Sequence, residues 1–153
     1  MKLSRSLDAT FAAVVSCAVI LMVIVKGDAL YIGLWYYFVV PGVLLGLCAS
    51  LRPKPLYLLG ADLALSVTVM VYLTLNWRAS RPDGLLGLGH TFSLPGAIAG
   101  ALIAAVVLRR YASVGPVSAL ITGFAGFMMG FFINLLLLCN TVMWCGPISL
   151  PLK

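Results

Sequence analysis

VSALITGFAGFMMGFFINLLLLCNTVMW, from Val117 to Trp144, contains no Asp, Glu, Lys, Arg or His. A soluble amphipathic helix keeps a polar face for water, and this stretch has none. Its backbone can satisfy itself in lipid only as a helix or in a closed barrel. It exceeds the roughly 20 helical residues that cross a hydrocarbon core of about 30 Å, so it can span with tilt or project beyond the bilayer. Four more apolar runs precede it: Ala9–Val25, Leu30–Leu51, Leu56–Asn76 and Leu85–Leu108. None alternates apolar and polar residues as a membrane barrel strand would. The chain therefore reads as one all-α transmembrane domain over residues 1–153 with five membrane-spanning segments. Four spans plus one re-entrant or interfacial segment is the second arrangement.

Composition supports the membrane class. The 153 residues are 63% hydrophobic and 9% charged, with a mean hydropathy of +1.13, outside the range of ordinary globular domains. The longest polar break, Trp77–Gly84, is too short to fold into a soluble domain. A formal charge of +6 does not point to nucleic acid, because Lys and Arg fall singly or in pairs at the ends of the runs, where membrane helices place cations. Lys2 and Arg5 before an apolar stretch imitate a secretory signal, but Lys26-Gly27-Asp28 follows it in place of a small-residue cleavage site. Val14-Val15-Ser16-Cys17 loosely resembles a lipoprotein cleavage site, yet apolar Val19–Val25 comes after the cysteine. An uncleaved first helix is expected.

Arg52-Pro53-Lys54-Pro55 blocks helix continuation between the second and third runs, and Gly115-Pro116 does so between the fourth and fifth. Pro41-Gly42 is expected to kink the second helix. Pro95, with Ser93 upstream as N-cap, suggests a fourth helix beginning near Ser93, with Leu85–Phe92 a Gly-rich loop at the membrane surface. A continuous helix kinked at Pro95 is the alternative. With five spans and a cytoplasmic N-terminus, Lys2, Arg5, Arg52, Lys54, Arg109 and Arg110 lie inside. Lys26, Arg78, Arg81 and Lys153 lie outside, beside Asp28 and Asp83. That bias follows the positive-inside rule, and Trp35, Trp77 and Trp144 gather on the outer side. The expected location is a bacterial inner membrane, multi-pass, with the C-terminus in the periplasm.

Asp62 is the acidic residue well inside an apolar run, about 9 Å along the helix from Leu56. Carboxylates at such positions usually face a partner or cavity. Two roles stand open: an anchor paired with Arg52 or Arg110, or an ion- or substrate-linked group. In the fifth run, Ala119, Gly123, Gly126 and Gly130 recur at helical spacing and Asn134 extends them, a small-residue stripe suited to close helix approach. Gly96, Gly100 and Ala104 offer a matching face in the fourth run, and Gly42-x-x-x-Gly46 another in the second. These faces suit packing within the chain or contact with another membrane protein or a second copy.

Cys139 and Cys145 are too far apart for a disulfide on one continuous helix, so a bridge requires the helix to end around Asn140–Thr141. Cys17 and Cys48 read as small apolar residues. No C-x-x-C, Walker A, H-E-x-x-H or catalytic Ser/His/Asp set occurs, and there is no Glu. His90 is the single histidine, expected to hydrogen-bond in a loop or at the interface. The apolar Gly84–Gly89 segment lacks a Lys to cradle phosphate. No metal, cofactor or enzymatic activity is expected. By elimination, the chain is expected to act through intramembrane protein–protein contact, as an accessory subunit or as an immunity protein against a pore-forming toxin. A small ion or solute transporter using Asp62 is the other possibility, and the lipid bilayer is the partner common to both.

Overall fold

The computed structural model describes residues 5–80, 84–110 and 115–142. Lys2, Arg81, Asp83, Trp144, Cys145 and Lys153, which enter the arguments above, lie outside these. The protein is all-helical: α1 Arg5–Lys26, α2 Leu34–Ser50, α3 Tyr57–Arg78, α4 Gly84–Arg109 and α5 Pro116–Thr141. Four of the five, α2 excepted, are long and apolar enough to cross a membrane. This architecture is consistent with a helical membrane protein.

The second helix is shorter than its apolar run. It starts at Leu34 rather than Leu30 because the preceding loop is held in a shape no helix can adopt. Gly27, Tyr31 and Gly33 have φ of 90°, 57° and 95°, and the left-handed values suit glycine best. Asp28 fixes that loop, accepting the Leu30 and Gly33 amides at 3.0 and 2.7 Å and the Tyr37 hydroxyl at 2.7 Å. At 17 residues, α2 is about 26 Å long.

The fourth helix also departs from expectation, in the opposite sense. Leu85–Phe92 is not a loop; α4 runs unbroken from Gly84 through Pro95 to Arg109. Ser93 is therefore no N-cap. Its hydroxyl donates back to the Gly89 carbonyl at 2.8 Å, as Thr91 does to Gly87 at 2.9 Å, a bond natural to Ser and Thr inside a helix. Packing explains the continuity. Gly87, His90, Leu94, Ala97 and Ala101 form a buried stripe at helical spacing, so the first two turns face protein and are stabilised as helix. Gly87 also lies so close to the Leu30 carbonyl that a Cβ would collide with it.

Helix α3 packs against each of the other four. Asp8 of α1 meets the start of α3, and Gly27 meets its end. Leu120 and Gly123 near the start of α5 also meet the start of α3. Helices α1, α3 and α5 thus run one way. Gly96 lies opposite Asn134 and Ala104 opposite Gly126, so α4 runs antiparallel to α5. Among described residues, Arg5, Arg52, Lys54, Arg109 and Arg110 collect at one end of the bundle, and Lys26, Asp28 and Arg78 at the other.

Candidate functional site

The polar groups inside this bundle lie mostly along α3. Asp62, Ser66, Thr68 and Asn76 are all buried, and neighbouring elements supply a partner to Asp62, Thr68 and Asn76. At the α3 N-terminus, Leu56 (φ 69°) occupies the N-cap position and provides no side-chain cap. The cap comes from another helix. Asp8 of α1, 1% exposed, accepts the amides of Leu58 and Leu59 at 3.1 and 2.9 Å. A carboxylate there satisfies two of the four orphan amides and meets the positive end of the helix dipole. Sequence reading passes over Asp8 because it lies before the apolar run. Its signal is the spacing Asp8, Ala12, Ser16, one face of α1 turned toward α3.

One turn into α3, Asp62 is fully buried. Its partner is not Arg52 or Arg110: Ser16 Oγ of α1 donates to Oδ1 at 2.8 Å, and Oδ2 has no hydrogen-bond partner. The cationic loop side chains stand at the bundle end, whereas Asp62 points sideways at α1. Ser16 also borders a cavity of about 20 Å³ shared with Tyr36, Tyr37, Ser66 and Val69, room for about one water molecule.

Near the middle of α3, His90 of α4 is fully buried rather than in a loop or at the interface. Its Nδ1 is 2.5 Å from the Tyr36 hydroxyl and its Nε2 is 3.1 Å from Thr68 Oγ1. Thr68 Oγ1 itself donates to the Leu65 carbonyl at 2.8 Å. Having spent its one proton there, Thr68 must accept from His90, which assigns the neutral Nε2–H tautomer with Tyr36 donating to Nδ1. Tyr72 and Phe131 close around the ring, with centroids 5.0 and 5.3 Å from it. This is a satisfied core histidine joining α2, α3 and α4. At the far end of α3, Asn76 Nδ2 donates to the Ala29 carbonyl at 2.5 Å, Trp77 Nε1 donates to Gly27 at 3.2 Å, and Lys26 Nζ lies 5.2 Å from the Trp77 ring centre. Among the described residues no three His, Cys, Asp or Glu side chains gather to hold a metal.

The small-residue stripe of α5 serves two neighbours rather than one. Gly126 and Gly130 face Gly100 and Gly96 of α4, and a Cβ on any of these four would collide with the facing helix. Gly123 instead lies against the Tyr57 carbonyl of α3, and Gly60 of α3 lies against the Leu120 carbonyl. Three residues of α-helix turn through about 300°, so Gly123 and Gly126 point about 60° apart, about 4.5 Å from each other along the axis. That angle seats α5 in the notch between α3 and α4. Asn134 Nδ2 donates to the Phe92 carbonyl of α4 at 2.6 Å. Gly42 and Gly46 of α2 are exposed with open space around them, so that pair forms no close contact.

On its outer side, the α4/α5 seam opens as an apolar groove of about 810 Å³. Gly96, Gly100, Gly126 and Gly130 lie along it, Ile103 and Met129 are among its walls, and Asn134 contributes a polar group. Cys139 is buried near the end of α5 and disulfide-bonded, while Cys17 and Cys48 are free. Cys145 lies outside the described residues. No family model matches the chain, and no curated protein or solved structure aligns with it significantly.

Proposed function

We propose that this protein acts without catalysis, by contact with another membrane protein inside a bacterial inner membrane. It would serve as an accessory subunit or as an immunity protein against a membrane-targeting toxin. The observation that carries this reading is the α4/α5 groove. It is apolar and open, and because the glycines beneath it are taken up by α4/α5 packing, its walls, Ile103, Met129 and Ile133 among them, are what a further helix would meet. A photo-crosslinker at exposed Ala125 in the groove should trap one defined protein in native membranes, and the same probe at Val14 on α1 should not. Ile133→Trp, which fills the groove, should abolish that product. Indistinguishable, lipid-only labelling from both positions sinks the reading.

In the proposed topology all five helices cross, α2 included, with the N-terminus cytoplasmic and the C-terminus periplasmic. The collection of cations at one end of the bundle supports it. An alkaline phosphatase fusion at Lys153 should be active, and a fusion active only as a cytoplasmic reporter would mean an even number of crossings.

The unpartnered Oδ2 of Asp62 favours a second reading, ion- or proton-coupled transport. The two readings part on Asp62→Asn, which keeps the acceptor for Ser16 and removes the ionisable group. Under the contact reading, purified protein in proteoliposomes carries no flux, and Asp62→Asn retains the Ala125 crosslink. A wild-type flux that vanishes in Asp62→Asn at unchanged thermal stability establishes transport instead.

A further inference from the structure

A second groove lies between the last turns of α2 and α4, meeting the α4/α5 groove at Ile103 and Val107, which line both. Its walls include Leu47 and Leu51 of α2 and Leu102 and Val106 of α4, and Arg110 stands at its end. It encloses about 480 Å³. The eight steps from Leu102 to Arg110 rise about 12 Å, so the groove runs from the apolar interior to the bundle end. In a bilayer such a groove does not stand empty, because its lining would forfeit dispersion contacts.

Charge identifies what fills it. Arg109 and Arg110 are exposed, and so is Arg52, which directly follows the groove residue Leu51. None of these three has an ion-pair partner among the described residues. The two described carboxylates toward that end are both buried, Asp8 against the α3 amides and Asp62 against Ser16. Exposed guanidiniums with no local anion, at the mouth of an apolar channel, complement a ligand with a hydrocarbon tail and a phosphate head. Guanidinium binds phosphate through paired N–H donors, and basic pockets between membrane helices take anionic lipid headgroups.

We propose that the α2/α4 groove binds one anionic phospholipid. An acyl chain lies along Leu102 and Val106, and the phosphate meets Arg110 with Arg52 and Arg109 alongside. The inference is independent of the partner-contact reading and would survive its failure.

The test is native mass spectrometry of purified protein in detergent, titrated separately with dioleoyl phosphatidylglycerol, dioleoyl phosphatidylcholine and inorganic phosphate. Phosphatidylglycerol should saturate at one molecule per chain, well ahead of phosphatidylcholine, with no retention of inorganic phosphate. Arg110→Gln should weaken phosphatidylglycerol about fivefold, the effect of one basic residue near a headgroup, and Arg78→Gln at the opposite end should leave it unchanged. Val106→Trp should block the chain and remove the bound lipid. Circular dichroism and a monodisperse elution profile establish that each variant compared is folded. If Arg110→Gln fails to fold, Arg110→Lys and Val106→Trp carry the comparison, the lysine retaining binding and the tryptophan losing it. Equal retention of both lipids, full affinity in Val106→Trp, or a two-chain species that excludes lipid from the groove overturns the proposal.

Discussion

Gly130→Leu should abolish the folded state of this protein or nearly so, whereas Leu136→Ala on the same helix should leave it almost unchanged. The contrast follows from what each position faces. A Cβ on Gly130 would collide with the Gly96 carbonyl, and Gly100 Cα would lie 3.0 Å from it. Both are backbone atoms, which cannot swing aside as a side chain would. Overpacking typically costs about 1–3 kcal/mol where side chains can adjust, and the effect here should lie at or above the top of that range. Helix association in lipid gains little from the hydrophobic effect and depends on packing, so separating α4 from α5 leaves little to replace what is lost. Leu136 is 49% exposed, and truncating it drives no atom into a neighbouring backbone. Expression yield, gel-filtration profile and resistance to SDS unfolding measure the difference. Wild-type behaviour of Gly130→Leu in all three would mean that the α4/α5 seam is not closely packed.

Asp8→Ala should cost about 2–3 kcal/mol, the range for leaving buried donors without an acceptor, with loss of a helix cap included. The Leu58 and Leu59 amides would lose their acceptor at a helix start whose own N-cap residue, Leu56, provides no capping side chain. Asp8→Asn keeps a single acceptor oxygen and no charge, so it should fall between wild type and Asp8→Ala. Hydrogen exchange localises the effect: the first turn of α3 should exchange faster in Asp8→Ala, ahead of the rest of the helix. Uniform exchange at wild-type rates across α3 would remove Asp8 from the capping role.

The two variants probe features that differ in how visible they are along the chain. The stripe Ala119, Gly123, Gly126, Gly130 and Asn134 is legible as periodicity, because residues three and four apart share a helix face whatever that face meets. Its division between α3 and α4 is not legible, since an offset of about 60° matters only once two neighbours are in place. Asp8 is harder still. Its partners are backbone amides 50 and 51 residues away, and backbone amides carry no residue identity that a sequence could display. His90 misleads for a related reason: its Gly-rich surroundings and nearby Pro95 suggest a loop, while Tyr36, Thr68, Tyr72 and Phe131, which make the site a core, come from three other helices.

By itself, the sequence determined the all-helical class and the positions of two of the turns. Both are local consequences: long apolar runs must satisfy their own backbone in lipid, and Arg52-Pro53-Lys54-Pro55 and Gly115-Pro116 remove amides that a continuing helix needs. Only the tertiary structure decided that α4 continues through Pro95, that α2 begins at Leu34 after the Asp28 loop, and that Asp62 turns to Ser16 rather than to a loop cation. In each case the choice lay between local conformations of similar energy. It was made by contacts from outside the segment itself: the packing of Gly87 and His90 against other elements, the bond from Tyr37 to Asp28, and the hydroxyl of Ser16.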